Sequence, residues 1–301
     1  MKRVVTAAAA LSGLAVVASV QAGVVNQWNL VVLGNWHNQS QDVEGNAFCG
    51  GNLTGGSPTI GLRLDRNVWA GRDVLAVAGS TSVSNINMQA GNFARGGSLS
   101  GNVNHNGGGI TRTDATLGAQ AVSYGSELLA LSGSLRSLTA NSIAQFPVGQ
   151  PGAVRYQATA APGGVAVFSV QSSQVFSNPL IQQIELNAGA ASEIVINVAG
   201  TSVNFTSGNM VGDWTSAFAR SKVIWNFYEA TSIFLDRNFN GAILAPLAHL
   251  ENTTAIDGSV FVASFNQRGE VHVPFYGGTI PTPGTLGLAG LSVLAMGRRR
   301  R

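Results

Sequence analysis

The chain has a single cysteine, nine prolines and few aromatic side chains, and only 10% of its 301 residues are charged. One cysteine excludes a disulfide framework and any zinc ribbon built from cysteine pairs. Low charge beside 45% hydrophobic residues excludes a chain kept unfolded by its own charge. A concentrated positive surface is missing too. The formal net charge is +3, but Lys2, Arg3 and Arg298 to Arg301 supply six of the 17 basic residues. Between Gly23 and Ile280 there are 11 basic and 14 acidic side chains, a balance of about −3. Phosphate binding draws on clustered Lys and Arg, so the body is not expected to bind nucleic acid.

Catalytic signatures are also absent. His37, His105, His249 and His272 form no His-x-His or His-x-x-x-His pair, and so no zinc motif. His105 reads as a solvated turn residue in the Asn- and Gly-rich stretch 102–109, and His272 as a structural residue of the last strand. No Gly-x-Ser-x-Gly elbow occurs, and the Gly-rich stretches lack the Gly-Lys-Ser/Thr ending of a phosphate cradle. Cys49 lies in an apolar run with no basic partner to activate it, and reads as a small buried side chain. No cofactor is expected.

What is present starts with two distinctive ends. Lys2 and Arg3 precede an apolar stretch from Val4 to Val20, and Val20-Gln21-Ala22 offers a processing site. Residues 1–22 therefore read as a signal peptide cut between Ala22 and Gly23, which implies export. The other end, 281–301, runs Pro281-Thr282-Pro283-Gly284, an apolar segment to Met296, and Arg298, Arg299, Arg300 and Arg301. A helix from Thr285 to Met296 would be about 18 Å long, short against a bilayer core of about 30 Å. Arginines after such a segment hold it on the cytoplasmic side, which suits transient retention during processing.

The body, residues 23–280, is a series of short apolar runs broken by Gly, Asn, Ser and Thr. Leu30 to Leu33, Val74 to Val77, Val165 to Phe168 and Ile194 to Ile196 have strand length and strand residues. A polar-Gly step followed by apolar residues recurs at Glu44-Gly45, Asn240-Gly241 and Asp257-Gly258. The last two lie 17 residues apart. One corner per short repeat points to a stacked coil, and Gly and Asn tolerate the backbone such corners need. The expected fold is mainly β: a right-handed β-solenoid-like body with one long α-helix alongside, with a β-sandwich as the alternative. The helix is expected within 114–144. Thr113 or Asp114 would cap it, and Leu128, Leu131, Leu135 and Leu138 would line one face. Gly125 could break it, and Pro147 and Pro151 close the region.

Two carboxylate motifs could carry chemistry. Asp236-x-Asn238-x-Asn240-Gly241 matches the first half of a calcium loop, but Leu247 stands where a bidentate Glu is required. A corner of the coil is the preferred reading, and no metal site is assigned. Asp42 and Glu44 lie on one side of a strand. With Asp236 and Asp257 they would have to converge in a groove to serve a polysaccharide-active enzyme.

The tail resembles the PEP-CTERM sorting signal, with Thr282 where that family usually has Glu. The resemblance implies a Gram-negative-type bacterium and an exosortase-type processing enzyme as transient partner. It also implies cleavage near Pro281, Thr282 and Pro283, and a link with biofilm matrix. The body resembles the choice-of-anchor A family. Asn29 to Asn35, Asp42 to Gly45 and Gly50 to Asn52 look like its opening, and Ile194 to Gly200 like its middle. Asn226 to Ala230, Gly241 to Pro246, Asp257 to Val260 and Gly269 to His272 look like its close. That resemblance implies an adhesive β-solenoid on a surface anchor, with no catalytic set. The expected function is a non-catalytic adhesin of the cell surface or matrix, binding extracellular polysaccharide or another surface ligand. The alternatives are a self-assembling structural matrix protein and, behind it, the enzyme. Individual binding residues are not legible.

Overall fold

A computed structural model describes residues 23–160 and 164–279. The signal segment and the C-terminal tail lie outside them. The body is a β-solenoid with three faces, in which each turn of chain lays one short parallel strand on each face. Leu30–Val32, Trp36–Asn38 and Asp42–Val43 make the first turn, and Ala47–Cys49, Leu53–Gly55 and Thr59–Ile60 the second. They stack in register, Leu30 on Ala47, Trp36 on Leu53 and Asp42 on Thr59. The inward side chains of successive turns, among them Leu30, Trp36, Val43, Leu53 and Ile60, form the core.

The 17-residue spacing read from the sequence is this stacking. Asn240 sits on Asp257, and Asp257 on His272. Gly258 at the corner has φ +144° and would bring a Cβ to 2.7 Å from the Gly241 carbonyl oxygen. Only glycine allows both the conformation and the approach.

The order of the turns in space differs from their order in the chain. The strand Leu30–Val32 lies between Ala47–Cys49 on one side and Val260–Val262 on the other. The chain starts in the middle of the stack and climbs to one end at Thr111–Thr113, which pairs only with Asn92–Arg95. The helix Leu117–Arg136 then carries it past the middle to the far end. From Val165–Gln171 the turns climb back through Glu193–Ala199, Val223–Asn226 and Ala242–Asn252 to Val260–Gln267. At about 30 Å for twenty residues, the helix spans six or seven strands spaced ~4.8 Å apart.

The helix is longer and straighter than its glycines suggest. It runs unbroken through Gly125, with Leu128, Leu131 and Leu135 buried against Val31, Phe48, Val195, Ile224 and Leu244. Burial of each leucine contributes roughly 1.5–3 kcal/mol, which outweighs about 1 kcal/mol per interior glycine. Its end corrects the sequence reading. The helix stops at Arg136, Leu138 is exposed, and Ile143–Gln145 is a short strand antiparallel to Gly152–Gln157. At the start, Thr116 precedes the helix without a side-chain cap. Asp114 instead accepts from the Thr116 backbone N–H at 2.9 Å.

The strands under the helix are buried on both sides, which would strand polar groups were they not paired. Asn197 and Asn226 stand side by side in otherwise apolar strands and point at the helix. Asn197 donates to the Leu135 carbonyl at 2.7 Å and Asn226 to the Ser132 carbonyl at 2.9 Å. Ser132 Oγ donates back to Asn226 Oδ1 at 2.6 Å. The two asparagines thus dock the last turns of the helix onto the sheet.

Candidate functional site

Of the three faces, the helix covers one. The second follows Trp36–Asn38, and among the described residues no helix lies over its outward side; the short helix Ser172–Val175 meets it only at the far end, beside Ser202–Phe205. Its strands alternate: Trp36 and Asn38 are buried and His37 between them is exposed. Leu53 is buried and Thr54 exposed, and Val203 and Phe205 are buried around exposed Asn204. The outward residues fall into rows. One row runs Asn204, Phe234, Glu251 and Asn266 on the C-terminal strands. It continues through His37, Thr54, Ser82 and Ser100 on the N-terminal strands. At one strand every ~4.8 Å the row is about 34 Å long. A second row beside it holds Ser202, Ser232, His249 and Ser264.

Hydrogen bonds between neighbouring turns hold these side chains. His37 Nδ1 lies 3.0 Å from Thr54 Oγ1, and His249 Nδ1 lies 2.8 Å from Ser264 Oγ. Ser98 Oγ donates to Ser80 Oγ at 3.0 Å, and Asn52 Oδ1 accepts from the Ser80 backbone at 2.8 Å. The charges within the rows are few. Glu251 is tied to Arg268 at 2.9 Å, and that bond holds its carboxyl below the usual range against the opposing effect of burial.

A buried polar stack lies at the edge of this face. Asn252, Gln267 and Asn38 are fully buried at one corner. Gln267 Oε1 accepts from Trp36 Nε1 at 3.1 Å and from Asn38 Nδ2 at 2.8 Å, and its amide donates to the Asp42 and Gly269 carbonyls. Three consecutive turns, those of Asn252, Gln267 and Asn38, are pinned together at this corner. The sequence reading missed this stack, and its only trace is an amide closing the strands that end at Asn38, Asn252 and Gln267.

The carboxylates with possible chemistry are held by structural partners; Glu44 and Asp257 both come near His272, while Asp42 and Asp236 lie apart from them. Glu44 pairs with Arg63 at 3.1 Å and accepts from the Val273 backbone at 3.1 Å. Asp236 accepts from Thr253 Oγ1. Asn238 donates to the Ala255 carbonyl and to Asp257, and Asn240 donates to Asn238. Those residues therefore form a corner of the solenoid. Asp42 lies on the third face, over Thr59. Asp257 lies between Arg220 at 3.7 Å and His272 at 2.8 Å. His272 also meets Glu270 at 2.7 Å. The Asp257 bond chiefly raises its pKa, with Glu270 and Glu44 adding and burial opposing, to about 9. Among the described residues no cluster of three or more His, Cys, Asp or Glu is placed to hold a metal.

Cys49 is fully buried, and burial pushes its thiol up to about 12. His105 departs from the turn reading. It ends the strand Leu99–His105, lies half-buried 3.0 Å from Thr111 Oγ1, and burial lowers its pKa. Ala22, Pro281, Thr282, Pro283 and Arg298 to Arg301 lie outside the described residues. Gly23 precedes a short helix, Val24–Gln27. No helix among the described residues is long and apolar enough to cross a membrane.

The last described residues run along the corner opposite the open face. Tyr276 N–H donates to Ser259 at 2.9 Å, and Asn26 donates to the Tyr276 and Gly278 carbonyls. Glu193, buried at the start of its strand, accepts from Tyr276 Oη and from the Thr279 backbone. That corner joins the helix-covered face to the third face.

A protein family described as "Putative Ice-binding-like adhesive domain" matches residues 21–273, nearly the whole described body. The chain belongs to this family. No curated protein matches it. Among solved structures, it is similar to an ice-binding protein from the Antarctic ascomycete Antarctomyces psychrotrophicus, with 13% identity and a TM-score of 0.31. That match covers 83% of this chain and 96% of the other. It is also similar to the DUF3494 domain of Shewanella frigidimarina ice-binding protein 1, with 11% identity, TM-score 0.38, and coverage of 83% and 95%. A third, an ice-binding protein from an Antarctic Flavobacteriaceae bacterium, has 12% identity, TM-score 0.33 and coverage of 82% of each chain. At these TM-scores the likeness carries no further weight, and the solenoid assignment rests on the strand register. The family membership places an adhesive-type domain on the fold.

Proposed function

We propose that this protein is an exported, non-catalytic adhesin that binds a hydroxyl-rich polymer, of the extracellular polysaccharide class, along its open face. One observation carries the reading. Ser, Thr, Asn and His side chains fill six of the eight positions of a row about 34 Å long on the face whose outward side carries no helix. Each contact of this kind is weak, and a polymer gains by engaging many at once. A flexible chain suits the rows better than an ice lattice does. Side-chain lengths vary from Ser82 to His37, and the row is interrupted by Phe234 and the Glu251–Arg268 pair.

In this reading residues 1–22 are removed and residues 281–301 form the sorting tail for an exosortase-type enzyme. The support is the order of residues in the two ends, together with an exit of the described chain on the side away from the open face. A tethered body would then present its rows outward, as a choice-of-anchor A module would.

The test is retention of the purified protein on matrix polysaccharide and on ice crystals. Wild type is expected to bind the polysaccharide saturably. The pair Thr54→Lys and Ser82→Lys, which places two long cations in the row, should lower retention at least about tenfold by breaking its continuity. Equal retention by the variant would sink the open-face reading, and retention on ice alone would sink the polymer reading. Shortened polysaccharide in the eluate would favour an enzyme.

A further inference from the structure

The two ends of the solenoid are finished differently. At the far end the outermost strand under the helix, Val165–Gln171, is covered. Asn141 and Ser142 backbone N–H groups both donate to the Val167 carbonyl at 3.1 Å. The Asn141 side chain donates to the Val165 carbonyl at 3.0 Å and accepts from the Val167 N–H at 2.8 Å. Beside it, the strand Ile143–Gln145 doubles back antiparallel, with Pro147 and Pro151 in the connecting segment. Covering segments and prolines are the usual means of blocking an edge.

Among the described residues, the opposite end has none of this. Its last turn consists of Leu99–His105 and Thr111–Thr113, and each pairs on one side only. The inward residues Leu99 and Val103 pack on the core yet remain half-exposed, because no turn lies above them. Ile110 is 61% exposed, and His105 Nδ1 is buried without a hydrogen-bond partner. From Gly96 to Thr111 there is no charged side chain. The nearest cations are engaged, Arg95 on the Gly97 carbonyl at 2.6 Å and Arg112 on Asp73 and Asp114. A long edge strand with neither charge nor proline is a template for another strand.

We infer that this open end is a self-association surface, on which a second copy of the chain docks end to end. The occupant is a second copy because a neutral end meets its own like without charge conflict. A two-fold axis through the middle of one face also maps a three-sided turn onto itself. Strands of the two copies then run antiparallel, and Leu99, Val103 and Ile110 lose their exposure. At the far end Val165–Gln171 is covered, and the one bare edge, Ile143–Gln145, is a three-residue strand antiparallel to its neighbour that does not match the long open edge. The open ends therefore meet each other, and the contact is isologous, closing at two copies rather than growing into a fibre. With the axis through the open face, the pair would join two open faces into one surface of about twice the length.

The test uses the full chain in two measurements. In the first, Asn104→Cys puts an exposed thiol on the open edge, while the native Cys49 is buried and unreactive. Oxidation should give a covalent dimer, whereas Val148→Cys, at a 93% exposed site of the far end, should stay monomeric. In the second, light scattering should give twice the monomer mass for wild type, and the monomer mass for Ile110→Asp, which alters an exposed residue that folding does not need. A monomeric wild type at every soluble concentration would overturn the proposal. So would mass growing without limit, or equal cross-linking at both ends.

Discussion

The helix-covered face and the open face are built from the same turns of chain, one strand of each turn on each face, and differ in what lies outside them. Under the helix, Leu30, Val31 and Val32 are all buried. A few residues later, Trp36 and Asn38 are buried and His37 is exposed. The inward half of both patterns is identical in kind, since both fill the same core. The outward half records the neighbour: Val31, Phe48 and Ile224 meet leucines of the helix, and His37, Thr54 and Ser82 meet solvent. A solenoid therefore separates stability from recognition by face, and the outward residues alone tell which is which.

The sharpest way to break that comparison is to shorten one outward contact on each face. Leu131→Ala, on the helix where it meets the outward residues of the covered face, should cost about 2–5 kcal/mol in urea unfolding. Thr54→Ala, at an outward position of the open face, should stay within about 0.5 kcal/mol. Equal losses would mean that the open face also carries the fold.

The third face offers an intermediate case, polar yet partly buried. His272 is charged in the folded state up to about pH 9, held chiefly by Asp257 and then by Glu270, with Glu44 and Arg220 also nearby. Its pKa is raised above the usual 6.5, so its contribution is complete below about pH 6.5 and is lost as pH rises through 9. The unfolding free energy read from urea titrations should fall across that window by an amount on the order of 1–3 kcal/mol. In His272→Gln the same titration should be flat there, and a slope that persists would assign it to other groups.

The smallest effect sharpens the account of the helix. A Cβ added at Gly118 or Gly133 meets nothing within 4 Å. Gly118→Ala and Gly133→Ala should each raise stability by about 0.5–1 kcal/mol, read as a higher midpoint. Gly50→Ala is the control, because its Cβ would stand 2.3 Å from the Leu33 carbonyl oxygen and 2.9 Å from Ala121 of the helix, and it should destabilise.

Much of the architecture was legible because it is local. The runs at Leu30, Val74, Val165 and Ile194 are strands, the Asn240 and Asp257 steps are stacked corners, and Leu128, Leu131 and Leu135 are the helix contact. What was hidden depends on partners far apart in the chain. Strands such as Trp36–Asn38 and Leu53–Gly55 have three residues each, too few for alternation to stand out, so the open face left no pattern until register aligned it. Asn197 and Asn226 look like interruptions in apolar strands until the helix carbonyls are placed above them. The end of the helix at Arg136 was missed because Leu138 continues the leucine spacing, although the chain has already left the helix axis to cover the end strand.

The position of Leu30–Val32 between Ala47–Cys49 and Val260–Val262 has a consequence for the timing of assembly. In a chain that emerges from its N-terminus, the first strand to appear is a central one, and one of its two neighbours is among the last. Until that neighbour arrives, the early turns carry an open flank that no local rearrangement can close. Completion is thus tied to the release of nearly the whole chain, and contacts between such distant segments form slowly. A truncated product would be left with its interior strand bare, in the state most readily recognised and degraded by quality-control proteases.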